Sequence, residues 1–320
     1  MKSELTPKEN LLRTINFGDA QYIPFEMEST YEIYHQDALF YKGNGDGHAT
    51  NWIDTWGVRF ERPDARLDGY PKFHPLQNFE NMGTYKWPDF HSPELMKEAS
   101  RAVEKIDRNK YLVMGMNPGF MFVRSWLLVG MNELLMGLLL YPGKVNYIMD
   151  RILEYQIGIA KRYIELGIDI VQFGDDAGTT KQLMMRPSLW RHFVKPRLKQ
   201  VIDVYKNADC LVLMHCCGCL TEIIEDIVDM GVDILNPIQA GANDLATLRR
   251  KTQGKVALYG GIDAHRVVTG TPEQVREITQ KTLNILARNG GYIAAADQIL
   301  PFPEENIEAI KETVRLFAGR

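Results

Sequence analysis

All four cysteines of this 320-residue chain fall within residues 210–219, and a histidine stands among them. An apolar run ends at this point, which predicts a strand that stops near the histidine. Side chains of an extended chain alternate between its two sides, so His215 and Cys217 project to one side and Cys216 to the other. A thiolate beside an imidazole at a strand end is the beginning of a zinc site.

Catalytic zinc has three protein ligands and one open position, so this pair needs a third ligand. Because no cysteine lies outside 210–219, the third ligand must be Cys219 after a local turn, another histidine, or a carboxylate at another strand end. The candidate carboxylates are Glu26, Glu28, Asp176 and Asp297.

Two other interpretations of the cysteines stay open. Cys216 and Cys219 have the C-x-x-C spacing of a redox dithiol, which requires a helix N-terminus at the first cysteine. Cys210, in the middle of the apolar run, has the character of a small buried residue. Clustered cysteines in a chain that starts without an apolar signal segment favour metal or redox chemistry in the cytoplasm over a disulfide framework.

Short apolar runs alternate with helical patterns along the chain, which predicts a parallel sheet covered by helices. The predicted strands are 22–26, 111–116, 168–173, 211–214, 232–235, 256–259 and 292–295. The predicted helices are a capped first helix after Thr6 and then 92–108, 120–140, 143–166, 187–207, 219–230, 243–253, 272–289 and 303–318.

We interpret this order as a single α/β domain over residues 1–320, a (β/α)8 TIM barrel whose missing strand is hidden in an irregular region at about 29–92. That region is rich in aromatic residues and is predicted to be a lid or insertion. An open doubly wound sheet is the alternative, although no Gly-x-Gly-x-x-Gly follows the first strand.

Polar residues follow every predicted strand, and in a barrel those ends meet at one mouth, where the active site lies. Asparagine and aspartate after strands are also ordinary helix caps, which is the competing explanation for each residue alone. The strand-end residues that we expect to act are Glu26, Asn117, Asp176, His215, Cys217, Asn236, Gln239, Asp263 and Asp297.

Composition and charge speak against two classes of partner. A net charge of −4 gives no reason to expect nucleic acid or an anionic membrane as a partner. The longest apolar stretch, 120–141, is interrupted by Arg124, Asn132 and Glu133, which fits a buried helix better than a membrane span.

The chain resembles the uroporphyrinogen decarboxylase-like superfamily over nearly its full length. The resemblance rests on an ordered series of motifs: Thr6-Pro-Lys-Glu-Asn-Leu-Leu12, Asp54-Thr-Trp-Gly57, Gly174-Asp-Asp-Ala-Gly-Thr179, Met185-Arg-Pro-Ser-Leu-Trp190, His215-Cys-Cys-Gly218, Gly231-Val-Asp-Ile-Leu-Asn-Pro-Ile-Gln239, Gly260-Gly-Ile-Asp263, Gly270-Thr-Pro-Glu-Gln-Val275 and Pro303-Glu-Glu-Asn-Ile307. It implies a distorted (β/α)8 barrel, in agreement with the pattern of elements.

The resemblance is closest to the cobalamin-dependent methyltransferases of the methylcobalamin:coenzyme M type. In that branch, His215 and Cys217 match a zinc-binding His-x-Cys, and a later cysteine completes the site. Here residues 294–298 read Ala-Ala-Ala-Asp-Gln, so Asp297 or Glu26 is expected to substitute. True decarboxylases carry an arginine-rich segment after the first strand, where this chain has Glu26 and Glu28. Acids there would repel a polycarboxylate substrate.

The resulting hypothesis is a zinc-dependent methyltransferase that moves a methyl group between a corrinoid, carried by a partner corrinoid protein, and a small thiol or a methoxy- or methylamine-type substrate. Zinc is expected at His215, Cys217 and Asp297. Asp176 and Glu26 are expected to orient the substrate or handle its proton. The cofactor-binding residues are expected to be Asn117, Asn236, Gln239 and Asp263.

Two alternatives remain at this point. One is a metal-free decarboxylase of the same fold, with Asp54 or Asp176 near the substrate, which would be active after chelation. The other is a non-catalytic corrinoid-binding module, which would bind without turnover.

Overall fold

The computed structural model describes residues 4–43, 48–64 and 67–318. The first described element is helix α1 (Pro7–Ile15), which begins where the sequence predicts. The Thr6 side chain accepts a hydrogen bond from the Glu9 amide, Glu9 reaches back to the Thr6 amide, and proline occupies the first turn. The buried face of α1 includes Leu11 and Ile15.

The strands of the described chain form two sheets. Seven are parallel, in the order β1-β5-β6-β7-β8-β9-β10, and three form a small antiparallel sheet, β2-β3-β4. Their bounds are β1 Thr30–Tyr34, β2 Asn51–Ile53, β3 Arg59–Glu61, β4 Tyr70–Phe73, β5 Leu112–Pro118, β6 Ile170–Gly174, β7 Leu211–His215, β8 Ile234–Asn236, β9 Ala257–Tyr259 and β10 Tyr292–Ile293. The large sheet contains the six later predicted strands and confirms the α/β barrel class.

The parallel sheet curls so that the chain just before β1 pairs with the strand at the opposite edge. Phe25 forms a parallel bridge with Ala294, and the Glu26 amide donates to the Ala294 carbonyl at 2.8 Å. The predicted strand 22–26 is therefore reduced to one bridge. Proline at position 24 has no amide to donate, and Glu26 has a φ of +56°, so the extended ladder cannot continue.

Helices cover the outside of the sheet. Their bounds are α2 Lys97–Val103, α3 Met121–Val129, α4 Met131–Leu140, α5 Pro142–Glu165, α6 Pro187–Leu189, α7 Lys195–Lys206, α8 Ile224–Met230, α9 Leu245–Thr252, α10 Ala264–Thr269, α11 Pro272–Leu286 and α12 Glu304–Ala318. A π-helical turn, Trp190–Val194, joins α6 to α7, and 3₁₀ turns occupy Gln36–Lys42, Gln77–Phe79 and Pro93–Met96.

The predicted helix 120–140 is two helices. Gly130, with a φ of +99°, separates α3 from α4, and the two axes are bent by 103°. In the described part of the chain, no single helix is long and apolar enough to cross a membrane; α3 and α4 meet that criterion only as a bent pair.

The barrel interior is packed at one end. Alternate residues of the parallel strands point inward and form an apolar cluster with Leu11 and Ile15 of α1. The strand members of this cluster are Leu112, Met114, Ile170, Leu213, Ile234, Ala257 and Ile293. Since α1 and these side chains fill the amino-terminal end of the strands, polar chemistry is confined to the carboxyl-terminal mouth.

The region 29–92 is more regular than predicted. It contains β1, which is the hidden barrel strand, and the β2-β3-β4 sheet, while residues 44–47 and 65–66 lie outside the described chain. A buried ion pair ties the region to the barrel wall: the Arg124 guanidinium of α3 lies 2.8 Å from the Asp54 carboxylate, and both side chains are almost fully buried. The Arg124 guanidinium also lies 4.9 Å from the centre of the Trp56 ring.

Candidate metal centre at the barrel mouth

His215 is the last residue of β7, and Cys217 follows it in the loop at the barrel mouth. The Cys217 sulfur lies 3.4 Å from Nε2 of His215, while Cys216 is fully buried. The alternation expected from the sequence is therefore confirmed: the two ligand-type side chains meet on one side, and the residue between them points into the protein.

Asp176 is the third metal-capable side chain of the group. One ligand atom from each of Asp176, His215 and Cys217 lies within 4.8 Å of the other two. The Asp176 carboxylate is 3.9 Å from Nε2 of His215 and accepts a hydrogen bond from the Cys217 amide at 2.7 Å. Among the described residues, this is the group of three His, Cys, Asp or Glu side chains placed to hold an ion.

Two glycines allow the β6 and β7 loops to approach each other and bring Asp176 to the pair. A Cβ added to Gly178 would lie 2.7 Å from the Cys217 carbonyl oxygen. A Cβ added to Gly218, whose φ is +88°, would lie 2.4 Å from the Gly178 carbonyl carbon. Any side chain at either position would push the loops apart, so the position of Asp176 depends on both glycines.

Amide side chains surround the group. Asn236 Oδ1 lies 2.8 Å from Nδ1 of His215, Gln298 Nε2 lies 3.5 Å from the Cys217 sulfur, and Gln239 Oε1 accepts from the Gly218 amide. Asn236 and Gln239 are two of the four residues expected to bind the cofactor. Asn236 contacts His215, and Gln239 contacts the loop that carries Cys217. Hydrogen-bond partners of this kind orient metal ligands.

Asp297 does not join the group. Its two carboxylate oxygens each lie 2.9 Å from a backbone amide, one of Ala240 and one of Ala264. Burial raises the pKa of Asp297, and Asp263 nearby adds to the effect. Asp297, which was predicted as the third ligand, therefore joins two loops, and Asp176 completes the group of three metal-capable side chains.

Two further expected cofactor residues lie elsewhere. Asp263 caps α10, because its side chain accepts a hydrogen bond from the Arg266 amide. Asn117 is 1% exposed and points to the helix side of β5, where its amide donates to Gln156 at 2.7 Å. The strand continues to Pro118, so position 117 falls on the outward side of the alternation and its neighbour Met116 on the inward side.

The remaining cysteines lack the helix N-terminus expected of a redox dithiol. All four are unpaired, and the first helix after the cluster, α8, begins only at Ile224. Cys216 donates to the Asp175 carbonyl inside the protein, and burial raises its pKa well above the ordinary value. Cys210 is 3% exposed, in agreement with its interpretation as a core residue.

The electrostatics of Cys217 fit a cation site. Partial burial, followed by the neighbouring Asp176 carboxylate, raises the pKa of the Cys217 thiol to about 12. A positive ion at this position would favour the thiolate, as metal coordination does. The set of one sulfur, one imidazole nitrogen and one carboxylate oxygen matches the ligand types and number of a catalytic zinc site.

The wall of the mouth opposite β7 carries acids and tyrosines. Glu32 and Tyr34 lie on one side of β1, and the Tyr34 hydroxyl donates to the Glu32 carboxylate. Tyr259 ends β9, next to Asn236. Burial raises the pKa of its hydroxyl, and the carboxylates of Glu26 and Glu32 raise it further. Glu26 is exposed there, as expected of a mouth residue.

The sequence analysis missed Glu32, Tyr34 and Tyr259. The signal for Glu32 and Tyr34 was available in residues 30–34, Thr-Tyr-Glu-Ile-Tyr, where alternation puts the acid and the second tyrosine on one face. We define this set, Glu26, Glu32, Tyr34 and Tyr259, as the acid–tyrosine wall.

Comparison with protein families gives a match over most of the chain. The family model described as uroporphyrinogen decarboxylase (URO-D) matches residues 56–317. Two curated relatives are methylcobamide:CoM methyltransferases MtbA. The one from Methanosarcina acetivorans is 23% identical over 142 residues, and the one from Methanosarcina mazei is 24% identical over 141 residues. Each alignment covers 44% of this chain and 40% of the relative, so the chain spans about two fifths of their length.

A solved structure confirms the architecture. A methyltransferase from Methanosarcina mazei superposes with a TM-score of 0.73 at 15% identity, and the match covers 98% of this chain and 99% of that chain. At this identity the likeness shows the fold alone.

Proposed function

The chain belongs to the uroporphyrinogen decarboxylase (URO-D) family, and from this premise we propose that it is a methyltransferase that transfers the methyl group of a corrinoid to a small thiol. The corrinoid would be carried by a partner corrinoid protein, and a zinc ion would be held by Asp176, His215 and Cys217. The observation that carries the proposal is the meeting of these three side chains at the barrel mouth. The names of the matched Methanosarcina relatives support the choice of reaction.

The surroundings of the three residues support metal binding over a merely structural cluster. Asn236 accepts a hydrogen bond from Nδ1 of His215. In the neutral ring this leaves the lone pair on Nε2, which faces Cys217 and Asp176. Zinc bound here would supply Lewis-acid chemistry, which lowers the pKa of a substrate thiol to near neutrality. The side chains of His215 and Asp176 are 33% and 43% exposed, so a small substrate can reach them from the mouth.

The transfer itself is a displacement. The sulfur of the acceptor attacks the methyl carbon, an S–C bond forms, and the Co–C bond breaks with its electron pair remaining on cobalt as Co(I). The thiol proton leaves to solvent. Asp176 and Cys217 hold the acceptor end of the site, and the open mouth gives the methylated corrinoid its approach. No external oxidant or reductant is required.

The acids of the mouth disfavour decarboxylation of a tetrapyrrole. A substrate with many carboxylates requires cations, whereas Glu26, Glu32 and Asp176 line this mouth. Like charges brought together in a partly desolvated site are repulsive. The metal-free decarboxylase is therefore the weaker candidate.

The test is elemental analysis of protein purified without a metal-affinity tag, combined with methyl transfer from methylcobalamin to small thiols. We expect about one zinc per chain, loss of zinc and activity together in Cys217→Ala, and retention of both in Cys219→Ala. Cys219 is a matched control because it lies two residues away, its sulfur donates to the Thr221 hydroxyl, and it is not a member of the group of three. Activity in Cys217→Ala, or in wild-type protein stripped of metal, would refute the zinc-dependent mechanism.

A further inference from the structure

The polar lining of the mouth is continuous from the metal group to the acid–tyrosine wall. His215 contacts Asn236, and the Asn236 side-chain amide donates to the main-chain carbonyl of Tyr259 at 3.4 Å. Tyr259 packs against the inward-facing cluster that includes Met114, and Glu32 of β1 lies opposite Met114 in the strand register, so both side chains face the barrel interior. Tyr34 completes the wall through its hydrogen bond to Glu32. A molecule that touches His215 therefore shares one compartment with this wall.

The size of the compartment brings both sides within reach of one small ligand. β1 and β7 are three positions apart in the order β1-β5-β6-β7, which places them nearly across an eight-position barrel. A barrel of this size has an interior just wide enough for its own side chains or for one small ligand. A substrate with its sulfur at Cys217 thus directs its other end toward Glu32 and the tyrosines.

The charge carried by the strands that line the mouth has one sign. None of the seven described parallel strands contains a lysine or an arginine. The nearby Arg124 is buried on the helix side in its ion pair with Asp54. The groups that face the substrate from the strands are carboxylates, phenols and amides. Tyrosine faces and carboxylates together are the recognition chemistry of ammonium groups.

We propose that the thiol substrate carries a positive charge, an ammonium group held by Glu32 against Tyr34 and Tyr259, and that Glu32 determines this specificity. The proposal rests on the proposed function for the position of the sulfur. It excludes thiols with a sulfonate or carboxylate at the far end, because the wall would repel them.

The test compares thiols that differ only in the sign of the far group: 2-aminoethanethiol against 2-mercaptoethanesulfonate, and the three-carbon homologues of both. For each pair, kcat/KM is measured with methylcobalamin, and the value for the aminothiol is divided by the value for the sulfonate. The thiols' own reactivities are the same in every assay, so they cancel when this cation-to-anion ratio is compared between wild type and variant. We expect Glu32→Gln to lower this ratio by about three- to tenfold, and Tyr259→Leu to lower it in the same direction. Glu98→Gln, an exposed acid on α2, should leave it unchanged. The wild-type ratio should also fall as salt is raised.

Binding measured by calorimetry without methylcobalamin separates the two proposals. If the metal-loaded protein methylates neither thiol yet binds the aminothiol better, and Glu32→Gln removes that preference, the proposed function fails and the charge specificity stands. If both thiols react but the sulfonate is preferred, or if Glu32→Gln and Tyr259→Leu leave the ratio unchanged, the methyl transfer stands and the charge specificity is overturned.

Discussion

Oδ1 of Asn236 lies 2.8 Å from Nδ1 of His215, on the side of the imidazole ring away from Cys217. The carbonyl oxygen of an amide can only accept, so Nδ1 carries a proton here, and in the neutral imidazole the lone pair is on Nε2. Asn236 reaches this position because β7 and β8 are paired in register, with His215 opposite Asn236. The strand register therefore orients the imidazole so that Nε2 faces Cys217 and Asp176.

Asn236→Ala should weaken zinc binding by about ten- to a hundredfold, because the ring loses the partner that fixes its tautomer and orientation. Competition with a chromogenic chelator measures this directly. Asn284→Ala, on the exposed surface of α11, is the control and should bind zinc like the wild type. Equal affinity in Asn236→Ala would show that the hydrogen bond serves only the fold.

Asp176 and Asp297 should separate metal binding from stability. Asp176→Asn should lower zinc affinity by at least about tenfold, because the third ligand loses its charge. Asp297→Asn should keep the metal but destabilise the fold by about 1–3 kcal/mol, because an amide cannot accept from both loop amides equally well. Cobalt substitution reports the first effect through its absorption spectrum, and thermal denaturation reports the second. If Asp297→Asn lost the cobalt spectrum and Asp176→Asn kept it, Asp297 would be the third ligand.

The sequence predicted that His215 and Cys217 lie together because the rule involved is local. Alternation along an extended chain places His215 and Cys217 together whatever the rest of the fold does. Choosing between Asp176 and Asp297 required the path of two loops, and that path depends on the contact of Gly178 with Gly218. Glycine pairs of this kind carry no signal in a single sequence that distinguishes them from ordinary turns.

Asn117 shows a second limit of the same reasoning. The apolar run 111–116 suggested that β5 ends at Met116, so Asn117 was expected at the mouth. Pairing with β6 extends β5 to Pro118, and one residue of extension moves a side chain to the other face of the sheet. The helix break at Gly130 has a similar origin, since the apolar pattern continues through it and only the backbone conformation changes direction.

The buried pair Asp54–Arg124 predicts a large and asymmetric effect on stability. Arg124→Met should cost about 3–5 kcal/mol, because it leaves the Asp54 charge buried without its partner. Adding Asp54→Asn should recover part of the loss: it removes the charge and keeps the oxygen that accepts from the Trp56 and Val58 amides. Arg101→Met removes an exposed pair with Glu98 and should change little. Urea denaturation of the four proteins gives the values, and a double variant no more stable than Arg124→Met would contradict this account.

His35 predicts how stability depends on pH. Burial lowers the pKa of its imidazole to about 4, from an ordinary value of 6.5. Asp37 and the hydrogen bond with Asn117 raise this pKa, and the Arg124 charge lowers it further. Below pH 6.5 the unfolded chain binds a proton at His35 that the folded chain does not bind, so stability falls as the pH drops from 6.5 towards 4. The full loss from this group is about 3 kcal/mol.

The measurement is urea unfolding at a series of pH values for the wild type and His35→Gln. Glutamine can keep a hydrogen bond to Asn117, whose Oδ1 lies 3.3 Å from the imidazole Nε2, and it has no proton to gain. The difference in unfolding free energy between the two proteins should therefore be constant above pH 6.5 and should shift in favour of the variant below it. Carboxylates titrate in the same range, but they do so in both proteins and cancel in the difference. A difference that stays flat down to pH 4 would mean that His35 is protonated within the fold, with Asp37 as its partner.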